Sequence, residues 1–213
     1  MTATVLPLRH VVVAVTGASG AIYGLRLVET LLAAGCRVSL LLSAAGEQVL
    51  RHETGLAWGG AAAACRERIR EHFASDAVDF LAIDDLFAPL ASGSSAADAM
   101  VIAPCSMGTA GRLAAGLSGN LLERTADVML KERRPLLLVP RETPLSSIHL
   151  ENLLRLSQAG ALIVPAMPAF YHEPASIAEL VDFVVGKVLD QLRLPHTLYR
   201  RWGAPAAAGG PTS

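Results

Sequence analysis

The sequence predicts an α/β fold: a single domain built on a doubly wound parallel sheet. Three observations carry that prediction. Apolar runs recur with almost no internal alternation, as in strands covered on both faces. Segments of helical spacing separate them, long enough for right-handed crossovers. Each apolar run ends in a polar or Gly/Pro-rich loop, at the edge where such sheets bind ligands.

The first strand, 11–15, breaks into Thr16-Gly17-Ala18-Ser19-Gly20 and re-emerges as a helix over 21–34, with Gly35 at its C-cap. A strand over 38–42 ends at Ser43 and leads into a helix over 44–53. The stretch 56–77, with alanines at 61–64, is the least legible and reads as a peripheral helix. Strands follow over 80–83 and 100–103, the second running into Pro104-Cys105-Ser106-Met107-Gly108-Thr109. A helix over 121–132 precedes a strand over 136–139, which ends in Pro140-Arg141-Glu142-Thr143-Pro144. A helix over 148–158, closed by Gly160, a strand over 161–164 and a helix over 177–192 complete the pattern. The domain spans 9–203, with an N-terminal extension over 1–8 and a disordered Ala/Gly/Pro-rich tail over 204–213. The arrangement is Rossmann-like or flavodoxin-like.

With 52% hydrophobic residues, 17% charged and a net charge of −1, the 213 residues lack the basic excess of a nucleic-acid binder. Positive mean hydropathy at low charge predicts burial between copies, hence a homo-oligomer. Cys36, Cys65 and Cys105 form no Cys-x-x-Cys pair and read as small buried hydrophobes in a reducing compartment. Residues 1–9 carry no secretory pattern and 11–16 is too short to span a bilayer, so the expectation is a cytoplasmic protein away from membranes. The six histidines show no ligand-spaced pair, and no metal is expected.

The first turn reads as a phosphate cradle. Gly17 and Gly20 let the backbone bend and approach a ligand, Thr16 and Ser19 supply hydroxyls, and the following helix supplies free N–H groups. An NAD site wants Gly-x-Gly-x-x-Gly and an acidic residue ending the second strand; Gly17, Gly20 and Gly24 have another spacing, and Ser43 ends the strand. The Gly-Lys-Ser/Thr of nucleotide hydrolases is absent. A mononucleotide such as FMN fits better. Gly and Ser are also ordinary in strand-to-helix turns, so this turn alone is weak evidence. Ser106, Gly108 and Thr109 add a second hydroxyl-rich helix start at the same sheet edge.

Several words together resemble the UbiX-type flavin prenyltransferases: 16–24 from Thr16 to Gly24, Ala91-Ser92-Gly93-Ser94, Pro104-Cys105-Ser106, Lys131-Glu132-Arg133-Arg134-Pro135, Arg141-Glu142-Thr143-Pro144 and Pro168-Ala169-Phe170-Tyr171-His172. The similarity runs over about 11–203. It implies a flavoprotein domain that transfers a dimethylallyl group from dimethylallyl phosphate to N5 and then C6 of reduced FMN, without metal. The prenylated FMN would serve a UbiD-type decarboxylase. Relatives assemble as dodecamers with active sites shared between subunits.

By the same resemblance, Gly17, Ala18, Ser19, Ser43, Ser106, Met107, Gly108, Thr109 and Arg141 contact FMN, with Ser19 near N5. Glu53 and Glu142 assist proton movements and phosphate departure. Arg124, Lys131, Arg141, Tyr171 and Lys187 hold the departing phosphate, where several fixed cations and donors are needed, with Ser92 and Trp202 at the same substrate. Lys187 departs from the Arg of many relatives and replaces a bidentate fork by a point charge. From spacing alone, Glu53 is equally an exposed helix-end carboxylate, Glu142 a loop partner of Arg141, and Arg124 and Lys131 a helix surface. Two other functions stay open. An FMN-dependent cysteine decarboxylase would need a catalytic His, for which no residue is placed, and an FMN carrier would need no phosphate machinery.

Overall fold

In the computed structural model, which describes residues 9–203, the apolar runs are strands, buried except at the edge strand Leu162–Ile163. They are β1 His10–Val15, β2 Arg37–Leu42, β3 Val78–Phe80, β4 Ala99–Cys105, β5 Leu136–Pro140 and β6 Leu162–Ile163. All pair in parallel, in the order β3-β2-β1-β4-β5-β6. This is the Rossmann order, in which strand addition reverses between β1 and β4 and opens a crevice outside their carboxyl ends. The expected extension 1–8 and tail 204–213 lie outside the described residues.

Side-chain alternation along β1 feeds two cores. Val11, Val13 and Val15 pack with α1 Ala21–Ala33, α2 Ala44–Thr54, α3 Ala62–Phe73 and α7 Ile177–Gln191 on one face. Val12 and Ala14 pack with α4 Met107–Ala114, α5 Leu121–Lys131 and α6 Ser147–Gln158 on the other. Both expected glycine C-caps form: Gly35 (φ 78°) and Gly160 (φ 107°) donate back to Leu32 and Ser157, and Cys36 and Ala161 to Leu31 and Leu156.

The two central strands are pinned where they leave the sheet. Thr16, fully buried, donates its hydroxyl to the Pro104 carbonyl at 2.8 Å and accepts from the Ser106 amide at 2.8 Å. Its own amide donates to the same carbonyl at 3.2 Å. The hydroxyl is therefore consumed in joining β1 to β4 and does not face a ligand, which corrects the reading of Thr16 as part of a phosphate cradle. Gly24 serves the same closeness: a Cβ there would stand 2.5 Å from the Ala103 carbonyl oxygen and 2.7 Å from Val15 Cγ2. Gly17 likewise admits Ala45, whose Cβ would lie 2.5 Å from one at Gly17, so this glycine is required by helix packing rather than by ligand approach.

Several boundaries differ from the sequence reading: one end of most helices and the start of β1 by one residue, and the strand expected over 161–164 shortens to Leu162–Ile163. The strand expected over 80–83 lies at Val78–Phe80, because this edge strand takes its register from Val38 to Leu40 of β2 while Asp79 turns out to Arg66. The strand expected to end at 103 continues to Cys105, since the Thr16 joint keeps Pro104 in the sheet. The illegible stretch contains α3, which buries only Cys65 and Ile69. So narrow an apolar stripe among charged residues carries little periodicity.

Replacing Thr16 by Val leaves the half-buried Ser106 amide without its partner and removes one of the two donors to the Pro104 carbonyl, which keeps only the backbone amide of residue 16. Thr16→Val should lose about 1–3 kcal/mol in urea unfolding, while Thr16→Ser keeps most of it; a loss in the Val variant below about 0.5 kcal/mol would count against this joint.

Candidate flavin and phosphate site

Gly17, Ser43, Ser106, Gly108 and Thr109, all expected at FMN, line one crevice of about 250 Å3 at the β1/β4 switch point. The amino ends of α2 and α4 converge on it. Ser43 caps α2 by accepting from the Gly46 amide (2.9 Å), and Ser106 caps α4 by accepting from the Thr109 amide (3.2 Å). Each cap satisfies one first-turn amide and leaves those of Ala44, Ala45, Met107 and Gly108 without partners in their own helices. Two positive helix ends with free N–H groups make an anion site. A Cβ built on Gly108 meets nothing within 4 Å, so there the crevice wall is open. The Met107 side chain is buried in the α4 core, so of this expected FMN contact only the backbone is available. Ala18 is buried too.

The amino end of α1 is differently occupied. Glu53, from the last turn of α2, accepts from the Gly20 amide at 3.0 Å and the Ala21 amide at 2.9 Å. The amides expected to be free for a phosphate at this turn are taken by a carboxylate, and the anion-binding amides belong to α2 and α4 instead. Burial pushes the Glu53 pKa up, but hydrogen bonds from Ser19 and the two amides, with the field of Arg141, outweigh it and bring the pKa below its ordinary value. Arg141 reaches over from the end of β5 to donate Nε to the Ser19 carbonyl at 2.9 Å. Ser19, Glu53 and Arg141 thus form one connected group at the α1 start, two residues on from the crevice residue Gly17. Glu142 accepts from the Thr143 amide at 3.0 Å and is not an ion-pair partner of Arg141.

Of the residues expected at the leaving phosphate, Arg141 joins Ser19 and Glu53, and the others form two separate groups. In one, Arg124 donates to the Ala91 carbonyl (3.0 Å) and to Asp127 (2.7 Å), and Lys131 pairs with Glu132 (2.6 Å). Ser92 shares a hydrogen bond with Ser94 in the adjoining turn, where a Cβ on Gly93 would stand 3.0 Å from Lys131 Nζ. In the other, the Tyr171 ring meets Trp202 edge-on at 5.1 Å, and Lys187 lies 3.7 Å from Asp190. The first group rides on α5 and the second on α7, in helical layers on opposite faces of the sheet. Among the described residues no hydrogen bond or ion pair joins them.

Sequence reasoning missed Arg112, Asn120 and Glu123, which also line the crevice. Arg112 forms a two-pronged ion pair with Glu123, a carboxylate only 3% exposed that also accepts from the Gly119 amide. Burial raises the Glu123 pKa, but Arg112 and these donors hold it below its ordinary value. The available signal was Asn120-x-x-Glu123, a helix-start pattern in which Asn120 caps the Glu123 amide. Among the described residues no group of three His, Cys, Asp or Glu is placed to hold a metal, and no helix is long and apolar enough to cross a membrane.

The flavoprotein family model matches residues 2–189. The flavin prenyltransferase UbiX of Halalkalibacterium halodurans is 53% identical over 193 residues, covering 90% of this chain and 92% of its own. The chain belongs to the UbiX flavin prenyltransferases of the flavoprotein family. The crystal structure of AnUbiX (PadA1) in complex with FMN and dimethylallyl pyrophosphate matches with a TM-score of 0.83 at 40% identity, over 93% of this chain and all of that one. The dodecameric FMN-dependent UbiX-like decarboxylase from Escherichia coli O157:H7 matches at 0.81 and 39%, over 92% of this chain and all of that one. Membership of the UbiX family makes the crevice at the switch point the flavin site to test.

Because its pKa is lowered, Glu53 adds stability that is complete above its ordinary value of 4.5 and is lost as pH falls through the lower folded value. Glu53→Gln should therefore cost about 0.5–1 kcal/mol at pH 7. In denaturation series, the difference from the parent chain should shrink below pH 4.5; a difference that grows on acidification would contradict the capping role.

Proposed function

We propose that this chain prenylates a flavin: a dimethylallyl group passes from dimethylallyl phosphate to N5 and then C6 of reduced FMN. The C–O bond to phosphate breaks with its electron pair on the departing oxygen, and the prenylated FMN leaves for a UbiD-type decarboxylase. The observation that carries this reading is the pair of capped helix starts at Ser43 and Ser106, which line one crevice with Gly17, Ala45 and Gly108. A mononucleotide phosphate fits there, and no acidic residue stands at the end of β2 to receive the ribose of a dinucleotide.

In this reading Gly17, Ser43, Ser106, Gly108 and Thr109 seat FMN, and Ser19 and Arg141 align its reacting edge. Glu53, kept ionised by its amide donors, accepts a hydrogen bond at N5, and Glu142 assists the proton movements that follow. With no metal to neutralise the leaving group, Arg124, Lys131, Tyr171 and Lys187 must supply the fixed donors. Since their two groups ride on opposite faces of one sheet, a complete phosphate site requires more than one copy of the chain. That supports a homo-oligomer with shared sites, in the dodecameric number of the relative described above. Exposed apolar side chains offer surface for assembly: Ile148 and Leu154 on α6, Phe170, Ile177 and the fully exposed Phe87. Three buried cysteines in no disulfide favour the cytoplasm.

Purified protein given reduced FMN and dimethylallyl phosphate in the presence of a chelator should yield a flavin heavier by one prenyl group; unmodified flavin by mass spectrometry would refute the proposal. Lys131→Ala and Glu142→Ala should each abolish prenylation and leave FMN binding intact by flavin titration. Activity retained in both would remove these residues from the mechanism.

A further inference from the structure

The segment after α7 folds back and is gathered onto one carboxylate. Asp190, in the last turn of α7, accepts from the Tyr199 hydroxyl at 2.7 Å, from Arg201 Nη2 at 2.7 Å and from His196 Nε2 at 3.1 Å. Lys187, one turn earlier, stands 3.7 Å away. The fold-back is shaped for this: a Cβ on Gly186 would lie 2.5 Å from the Tyr199 ring and 2.8 Å from His196, so this helix position must be glycine for the segment to close.

The gathered rings lead to Tyr171. Tyr199 packs on Phe183 with centroids 4.8 Å apart, and His172 stacks on the same Phe183 at 5.3 Å. Tyr171 sets its ring edge-on to Phe183 at 5.9 Å and to Trp202 at 5.1 Å. Arg200 donates to the Tyr171 carbonyl at 3.4 Å, and Trp202 directly follows Arg201. Tyr171, Lys187 and Trp202, placed at the prenyl phosphate in the function proposed above, therefore share one anchor that touches no substrate itself.

We propose that Asp190 is a positioning residue of the prenyl-phosphate subsite: through Tyr199 and Arg201 it seats Tyr171 and Trp202, and it holds the Lys187 ammonium against α7. This rests on the assignment of Tyr171, Lys187 and Trp202 to that subsite. The charge state suits the role. Burial pushes the Asp190 pKa up, but hydrogen bonds from Arg201, Tyr199 and His196 hold it at about 2, so the anchor stays ionised at neutral pH. Burial and Asp190 together push the Tyr199 phenol well above its ordinary range, so it remains a donor.

The test uses the full chain as purified, with reduced FMN saturating and dimethylallyl phosphate varied. Asp190→Asn should raise the KM for dimethylallyl phosphate about tenfold with FMN affinity nearly unchanged. Tyr199→Phe, which removes one hydroxyl and keeps the ring packing, should raise it about threefold. Asp190→Glu should recover part of the loss. In a Trp58→Phe background, Trp202 emission should shift in Asp190→Asn. If Lys187→Ala and Tyr171→Phe leave KM unchanged, the subsite assignment fails and takes the proposal with it. If those two raise KM while Asp190→Asn and Tyr199→Phe do not, the subsite stands and Asp190 is no part of it. Equal loss of FMN affinity and KM, or Trp202 emission that does not move, would reduce Asp190 to a general fold contact and overturn the proposal.

Discussion

The Thr16 hydroxyl, held between the Pro104 carbonyl and the Ser106 amide, is the contact on which the rest of the arrangement depends. A parallel sheet that reverses its direction of strand addition has a seam at the reversal, and this seam is closed by one buried side chain with both of its hydrogen-bonding capacities used. With β1 and β4 locked at their carboxyl ends, α4 starts beside the turn that follows β1. Ser43 is drawn to the same place because its amide donates to the Val15 carbonyl at 3.1 Å. The convergence of α2 and α4 starts on one crevice is thus a consequence of backbone pairing at the end of β1.

The charges of the crevice and of the α5 cation group are arranged with little left over. The α1 start is satisfied by Glu53, Arg112 by Glu123, Lys131 by Glu132 and Arg124 by Asp127. Fixed amides at helix starts attract an anion without carrying a counterion that must first be displaced, whereas each paired cation must share its carboxylate or release it. The two cation groups lie on opposite faces of the sheet, and the flavin crevice is lined by one chain alone.

The segment 194–203 shows the same economy at the other end of the chain. It has no regular structure to hold it, yet Asp190 binds three of its side chains, His196, Tyr199 and Arg201, and Gly186 gives it a place to lie. Aromatic contacts then carry that order from Tyr199 through Phe183 to Tyr171.

By itself the sequence determined the α/β class, the order of elements, the glycine C-caps and the crevice residues Ser43, Ser106 and Thr109. These follow from apolar continuity, helical spacing and cap chemistry, which act between residues close along the chain. Only the tertiary structure decided which helix starts are free to bind an anion. The Gly17 to Gly20 turn reads locally as the cradle, but Glu53, more than thirty residues later, claims its amides, and Ala45 rather than a ligand explains Gly17. The Arg112–Glu123 pair and the Asp190 anchor were equally illegible, as was the division of the phosphate residues between two faces. Each depends on hydrogen bonds and packing between segments that meet only after the sheet has formed, and such meetings leave no period in the sequence.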